Sequence, residues 1–355
     1  MRLFSPIVIG GLKLRNRVVM APMSGNEANP DGSLGPEVAE YYARRARGGV
    51  GLIITGGLFV VDPPNRNTRR RYCGLHTDAM IPGLRAVVDA VHAGGAAIFG
   101  QLVSFLDPPG LVPADLDIDQ VRELRAAFVS AAERVRRAGC DGVEVHAAHY
   151  SSLADFLSRG VNRRSDRYGR TLEGRAQLAL EIVRGIRERV GPEYPISCRF
   201  SADEYVMGGN TLKHTIPLAS MLVEAGATML SVSAGGRKRE GSEYSYYRAY
   251  PTYDWPDALN AYLAEEIKRT VDVPVMATGK ISTPKAAEVV LERGQADLVG
   301  LGRALLADPE WPNKAREGRW AEIDVCIYCR ACRDMANNGE LFHCVKTANG
   351  LSCEE

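Results

Sequence analysis

Short apolar runs alternate with longer amphipathic segments along most of this 355-residue chain. The runs are almost continuous in apolar residues, which is typical of parallel strands buried on both faces. The predicted strands are Val18–Met20, Gly51–Thr55, Ala96–Gln101, Gly142–His146, Ile196–Phe200, Met229–Val232, Val275–Thr278 and Leu298–Gly300. The predicted helices are Val38–Arg47, Ile81–His92, Asp119–Ala138, Gly174–Arg189, Leu212–Ala225, Ala258–Thr270, Pro284–Arg293 and Pro309–Glu317. Eight such units predict an α/β fold, a closed (β/α)8 TIM barrel.

An open, doubly wound sheet is the alternative to the barrel. That fold usually carries a glycine-rich turn directly after its first strand. Here the first strand leads into Ala21-Pro22-Met23-Ser24, which contains no glycine. The sequence therefore favours the barrel.

Polar residues and glycines follow several predicted strands, at the end where barrel enzymes build their sites. They are Gln101, His146, Arg199, Gly279 with Lys280, and Gly302 with Arg303. Glycines let backbone N–H groups approach a phosphate, and an arginine adds two hydrogen bonds. The last two loops therefore indicate a phosphate site, although each glycine taken alone could be a turn residue.

The segment after the fourth strand holds two histidines three residues apart, His146 and His149. Two imidazole N–H groups can polarise a carbonyl or nitro oxygen that gains negative charge during reduction. The pair has no obvious third partner for a zinc ion. We therefore predict that both histidines face the mouth of the barrel and bind a substrate oxygen.

Composition narrows the classes of partner. Formal net charge is +1 and 45% of residues are hydrophobic, so no nucleic-acid or membrane partner is expected. No targeting segment and no uninterrupted apolar run of membrane-spanning length is present, so we expect a cytoplasmic protein. Unlike a secreted disulfide framework, the cysteines cluster near the C-terminal end.

The spacing Cys326-x2-Cys329-x2-Cys332, followed by Cys344, is a specific signal. Three thiolates on a tight loop and a distant fourth are typical of a 4Fe-4S cluster. Structural zinc more often uses two separated Cys-x2-Cys pairs, so the cluster is favoured over zinc. Cys353 is a less favoured fourth ligand.

Motifs spread over nearly the whole chain resemble the old yellow enzyme family of FMN-dependent NADH:flavin oxidoreductases. They are Leu3-Phe4-Ser5-Pro6, Asn16 to Met23, Gly51 to Gly57, Ala138 to His149, Phe156-Leu157-Ser158, Asn162-Arg163, Asp166 to Gly169, Ala296 to Arg303 and Ala307-Asp308-Pro309. The cysteine spacing is similar to the iron–sulfur subgroup that includes the barrels of 2,4-dienoyl-CoA reductase and trimethylamine dehydrogenase.

The resemblance implies a role for each matching residue. Cofactor-binding roles fall on Pro22 and Met23 along the flavin, Ser24 near N5, Gln101 at the pyrimidine ring, Arg199 by N1 and C2=O, and Gly279, Gly302 and Arg303 at the phosphate. His146 and His149 would hold the substrate oxygen.

Two departures from the family pattern affect the substrate side. The family places a tyrosine, the proton donor, where this chain has Ser151. The candidate donors are therefore Tyr150, water, or the aromatic loop Gly235–Asp257 that follows the sixth strand. The usual His-x-Gly-Arg after the glutamine is replaced by Ser104-Phe105-Leu106-Asp107.

The resemblance implies two cofactors, FMN and a 4Fe-4S cluster, in an FMN-binding barrel (residues 1–320) and a cysteine-rich iron–sulfur segment (residues 321–355). The expected reaction is reduction of an activated C=C bond of a small-molecule substrate by hydride transfer from FMN N5, with electrons relayed through the cluster. Oxidation of an amine or saturated ring is the alternative, and a pure electron-transfer subunit is a third interpretation.

The subgroup usually continues into a second half that binds FAD or ADP and a pyridine nucleotide. We therefore expect a separate electron-transfer partner, either such a reductase subunit or a ferredoxin-like protein. A homo-oligomer is compatible with the sequence.

Overall fold

The computed structural model describes residues 1–25, 28–62, 71–108, 110–237, 248–340 and 342–346. Eight parallel strands close into a barrel, because the last strand pairs with the first through Gly300 and Val19. The barrel strands are Val18–Met20, Leu52–Ile54, Ala97–Val103, Gly142–Ala147, Ile196–Asp203, Met229–Ala234, Val275–Thr278 and Leu298–Leu301. The predicted TIM barrel is confirmed, and the differences from the predicted strands lie at strand ends.

Helices surround the barrel at the predicted places. They are Pro36–Arg47, Ile81–Ala93, Ile118–Arg137, Leu172–Val190, Leu212–Glu224, Ala261–Lys268, Pro284–Glu292 and Trp311–Arg316. Side-chain N-caps define where several helices begin. The Thr171 side chain accepts a hydrogen bond from Gly174 N, and the Thr283 side chain accepts one from Ala286 N. The helix predicted from Ala258 begins later, because Ala258 has φ 53°, which no helical residue adopts.

Alternation along the barrel strands separates two apolar layers. One set of positions packs against the surrounding helices, and the other points into the barrel. The lower interior is a separate apolar cluster of Ile9, Leu14, Val19, Leu52, Ile54, Phe99, Met229, Met276 and Leu298. Burying each large side chain contributes about 1.5–3 kcal/mol, so this cluster anchors the closed ring.

Two steps further along the same strands, the interior becomes polar. Two residues after Phe99 the strand has Gln101, and two residues after Met229 the strand has Ser231. Register places Gln101 opposite Glu144 on the neighbouring strand. The barrel is therefore apolar at its base and polar at its carboxyl end.

Several short elements were missing from the predictions. An antiparallel hairpin, Ile7–Ile9 with Leu12–Leu14, closes the lower end of the barrel. The two-residue Gly10-Gly11 connection between its apolar runs is a hairpin signal that could have revealed it. The other short elements are the strands Leu58–Phe59 and Cys73–Gly74 and the helices Ser152–Leu157, Arg303–Ala307 and Ala331–Asn338. Among the helices of the described ranges, none combines the length and apolarity needed to cross a membrane.

Candidate active site

A cavity of about 340 Å³ opens at the carboxyl end of the barrel. It is lined by every residue predicted to bind the cofactor or substrate: Pro22, Met23, Ser24, Gln101, His146, His149, Tyr150, Arg199, Gly279, Gly302 and Arg303. These residues come from the ends of different strands, so the closed barrel is what brings them together. Of the four clustered cysteines, Cys332 also lines the cavity.

Beneath the floor of the cavity lies a buried polar network centred on Glu144, whose side chain is fully buried. Gln101 Nε2 donates to Glu144 Oε1 at 2.8 Å, and Ser197 Oγ donates to Oε2 at 2.8 Å. Burial raises the pKa of Glu144, and the charge of Arg199 acts in the opposite direction. The network therefore fixes the orientation of the Gln101 amide.

Arg199 lies beside this network and is also buried. Its guanidinium donates from Nη1 to Ser231 Oγ at 3.0 Å and from Nη2 to Ser233 Oγ at 3.3 Å. Burial lowers the pKa of Arg199, but an arginine keeps its proton at neutral pH. A fixed positive charge thus lies at the floor of the cavity.

The two histidines at the end of the fourth strand have ring centroids 5.4 Å apart. His149 contacts Ser233 Oγ through Nε2 at 2.8 Å, and its backbone N–H donates to Ser201 Oγ. Burial, reinforced by the Arg199 charge, lowers the pKa of His146 to about 3, and burial lowers that of His149 well below its ordinary value. Both imidazoles are therefore neutral at pH 7, and each carries one N–H donor.

One nitrogen of the two histidines is available to a ligand. His146 Nδ1 is buried and has no hydrogen-bond partner in the described part of the chain. A buried polar atom without a partner costs about 1–3 kcal/mol. A ligand in the cavity could remove that cost.

Ser151, at the position where the family has its proton-donating tyrosine, has a different function here. Its side chain is 1% exposed. The hydroxyl donates to His146 O at 3.1 Å and accepts from Ala154 N at 3.3 Å, which caps the helix Ser152–Leu157. Tyr150 lines the cavity, and its hydroxyl lies 3.1 Å from that of Tyr250.

Aromatic side chains line the outer part of the cavity. We call Phe59, Tyr72, Phe105, Tyr150 and Tyr250 the aromatic wall. Ring centroids of Phe59 and Phe105 are 5.2 Å apart, and those of Phe105 and Tyr150 are 6.3 Å apart. On the far side, Tyr250 lies 6.4 Å from His149. Three more tyrosines of the predicted aromatic loop, Tyr244, Tyr246 and Tyr247, lie outside the described residues.

The opposite end of the cavity is formed by the loops after the seventh and eighth strands. Gly279 has φ 120°, and a Cβ there would lie 2.6 Å from Asn260 Nδ2, so only glycine fits. Arg303 Nη2 donates to Pro251 O at 2.8 Å. Lys280 Nζ donates to Tyr253 O at 2.6 Å. Both cations are therefore hydrogen-bonded to the loop that also carries Tyr250 of the aromatic wall.

The cysteine segment, which we define as residues 321–340 and 342–346, packs against this end. Burial raises the pKa of Cys326 to about 11, with smaller increases from Cys332 and Cys344. Burial also raises the pKa of Cys332, with smaller increases from Cys329 and Cys344. Cys332 therefore lies within electrostatic range of the other three thiols. No group of three His, Cys, Asp or Glu side chains in the described ranges is arranged to hold a single metal ion. Cys353 lies outside the described residues.

Sequence reasoning missed several residues that line the cavity or lie beneath it. Glu144 could have been found, because a carboxylate inside an apolar strand needs a buried partner. Phe105 and Arg333 could not, because they reach the cavity from loops and from the cysteine segment.

Comparison with known proteins identifies the family of this chain. The sequence pattern of the NADH:flavin oxidoreductase / NADH oxidase family, which is named for FMN, matches residues 2–109 and 109–322. An NADH oxidase of Thermoanaerobacter brockii is 43% identical over 92% of this chain and 52% of its own length. A cinnamate reductase of Clostridium sporogenes is 32% identical over 92% of this chain and 54% of its own length. The chain thus spans about half the length of these relatives.

Two solved structures share the fold. A 2-naphthoyl-CoA reductase in complex with 2-naphthoyl-CoA has a TM-score of 0.87 and 26% identity, over 97% of this chain and 56% of that one. Histamine dehydrogenase from Rhizobium sp. 4-9 has a TM-score of 0.85 and 27% identity, over 97% of this chain and 52% of that one. The matches thus include both reductases and an amine dehydrogenase.

Proposed function

Because the chain belongs to the NADH:flavin oxidoreductase / NADH oxidase family and is an FMN-dependent oxidoreductase, we propose that it reduces a C=C bond conjugated to an electron-withdrawing group. The observation that carries this proposal is the pair of neutral histidines, His146 and His149, at one side of the cavity. Neutral N–H donors stabilise the negative charge that develops on a conjugated carbonyl oxygen during reduction.

The cavity suits FMN in size and in chemistry. Its volume is within the usual range for sites of small molecules and cofactors. Gly279 leaves room for close approach of a phosphate, and Arg303 supplies positive charge at the same end. Pro22, Met23 and Ser24 would lie along the flavin, with Gln101 at its pyrimidine ring. When bound, FMN supplies a hydride at N5.

The protein's own residues would prepare the site for that transfer. Glu144 holds the Gln101 amide in place, and Arg199 provides a fixed positive charge that favours the anionic form of a reduced flavin. His146 and His149 would orient the substrate oxygen. We assign delivery of the proton to Tyr150, because Ser151 is committed to a helix cap.

The aromatic wall and the charges in the cavity favour a planar, uncharged or anionic substrate. Flat side chains stack well on conjugated groups. Five cations line the cavity, Arg199, Arg248, Lys280, Arg303 and Arg333, and no Asp or Glu is among the described residues lining it. The name cinnamate reductase denotes an enzyme for a planar aryl carboxylate, which is consistent with this chemistry.

We also propose that Cys326, Cys329, Cys332 and Cys344 hold a 4Fe-4S cluster. Four thiols on one short segment, with Cys332 in electrostatic range of the other three, are a suitable donor set. Cys332 also lines the same cavity as the residues expected at the flavin. Such a cluster exchanges single electrons. We propose that it receives them from a reductase module or a ferredoxin-like partner.

Oxidation of an amine is the second candidate. It is favoured by the likeness to histamine dehydrogenase and by the serine at position 151, where the family has its proton-donating tyrosine. The cationic lining opposes it, because an ammonium substrate would be repelled.

Product analysis tests the proposal. The holoprotein would be incubated anaerobically with chemically reduced viologen and cinnamate or 2-cyclohexenone, and the organic products separated by chromatography. We expect the saturated acid or ketone, in amounts that depend on enzyme. Absence of any saturated product, together with formation of an aldehyde or ketone from an amine and oxidised viologen, would reverse the assignment.

A further inference from the structure

The cysteine segment carries an unusual residue at its centre, Tyr328, within the first Cys-x2-Cys turn. Tyr328 has φ 59°, in the left-handed region that favours glycine. A residue with a Cβ pays about 1–2 kcal/mol to adopt it. A bulky residue in such a conformation often marks a functional constraint rather than a local preference. The side chain is 8% exposed, so the strained backbone directs the ring inward.

The ring lies against the two cations at the phosphate end of the cavity. Arg303 Cζ is 4.6 Å from the ring centroid of Tyr328, and Lys280 Nζ is 5.0 Å from it. These distances are within the range of cation–π attraction. Two like charges on neighbouring loops repel each other, and a shared aromatic face offsets part of that repulsion.

We propose that Tyr328 is a positioning residue for the cofactor phosphate. It holds Arg303 and Lys280 at the end of the cavity before the phosphate arrives, so the site is formed in advance. The inference rests on the proposed function, which assigns the phosphate to Arg303. It adds a role for a residue of the cysteine segment in binding the flavin.

The same residue connects the flavin site to the thiols. The backbone N–H of Tyr328 donates to Cys326 Sγ at 3.4 Å, while its ring lies on Arg303. Tyr328 thus contacts both the phosphate end of the cavity and the first Cys-x2-Cys turn.

The experiment compares the affinities of the protein for FMN and for riboflavin, which lacks the phosphate. Flavin is removed from the protein and added back, and binding is followed by quenching of flavin fluorescence. For Tyr328→Leu, which keeps an apolar side chain but loses the ring, we expect FMN affinity to fall by about 5-fold or more while riboflavin affinity stays unchanged. For Tyr328→Phe, which keeps the ring, both affinities should stay within about 2-fold of the wild type.

Two further variants make each result decisive. Arg330→Gly alters the same loop at another left-handed position, φ 70°, and should leave the FMN-to-riboflavin ratio unchanged. Arg303→Ala should lower the affinity for FMN and leave the affinity for riboflavin unchanged. If Arg303→Ala lowers it and Tyr328→Leu does not, or if Tyr328→Leu weakens both flavins equally, the role of Tyr328 is refuted and the phosphate site stands. If Arg303→Ala leaves the ratio unchanged, the phosphate site itself is wrong, and the inference falls with it.

Discussion

The upper barrel interior and the cysteine segment supply side chains to the same cavity but hold them in different ways. In the barrel, Glu144 and Arg199 are buried on paired strands, and side-chain hydrogen bonds fix them from several directions. In the cysteine segment, the helix Ala331–Asn338 has no buried residue. The segment is attached through a few side chains, among them Tyr328 and Phe342, which are 8% and 7% exposed.

This difference indicates what each region needs from its cofactor. The barrel site is shaped by strand register, which the apolar core stabilises whether or not a ligand is present. The cysteine segment has little core of its own, and short segments of that kind commonly depend on a bound metal centre for their order. We therefore expect flavin binding to survive loss of the cluster.

Removal of one cluster ligand should have the largest effect. Cys329→Ala is expected to remove most of the bound iron, because one of the four thiolates proposed to hold the cluster is lost. FMN content should stay close to that of the wild type, as measured by absorbance after release of the flavin. Cys140→Ala, at a buried cysteine outside the segment, is the control and should keep its iron. Equal loss of iron and FMN in Cys329→Ala would mean that flavin binding in the barrel depends on the cluster.

Loss of a histidine should affect catalysis more than binding of the flavin. For His146→Ala we expect the rate of alkene reduction to fall by about 10²–10³-fold, the usual effect of removing a donor to a developing oxyanion. FMN content should not change. A variant that keeps its flavin and more than about a third of its activity would exclude His146 from the oxyanion site.

Removal of the buried cation should destabilise the barrel. Arg199→Met leaves Glu144 buried with a hydrogen-bond network but without the nearby positive charge, at a cost of about 3 kcal/mol. Chemical denaturation measures the loss. Adding Glu144→Gln should restore part of the stability, because the carboxylate is then gone. If the double variant is as unstable as the sum of the two single variants, the two charges are not coupled.

Acid should destabilise the protein through the histidines. An unfolded histidine takes up a proton below about pH 6.5, whereas His146, whose pKa is lowered to about 3, stays neutral beside Arg199 and His149. The unfolded state then binds more protons, so stability falls as pH drops from 6.5 towards 3, by about 1.4 kcal/mol per unit for one such histidine. His146→Asn should make the slope shallower, as measured by denaturant unfolding at a series of pH values. An unchanged slope would contradict the neutral, buried state of His146.

The smallest expected effect concerns Ser151. Ser151→Ala removes the cap of Ser152–Leu157 and should cost about 1 kcal/mol of stability. The activity per bound FMN should be unchanged. A drop in activity at constant stability would instead make Ser151 part of the proton pathway.

Most of the barrel could be predicted from the sequence, because strands buried on both faces are continuous apolar runs. Gln101 was predicted to face the mouth of the barrel because it ends its strand, and it lines the cavity two residues beyond Phe99 of the base. What could not be predicted were contacts between distant loops. The ring of Tyr328 on Arg303 depends on a left-handed residue in the cysteine segment, and nothing in the local sequence specifies its partner. Phe105 likewise reaches the aromatic wall only through the folded loop.

The most direct test is a rapid-mixing experiment under anaerobic conditions with the flavin of the holoprotein fully reduced. We predict that cinnamate or a cyclic enone restores the flavin absorbance in the wild type, and that the double variant His146→Ala/His149→Ala reoxidises at least about 100-fold more slowly. The opposite result is no reoxidation by any conjugated alkene, with bleaching of the oxidised flavin by an amine. It would show that the cavity oxidises amines and that the histidines do not serve alkene reduction.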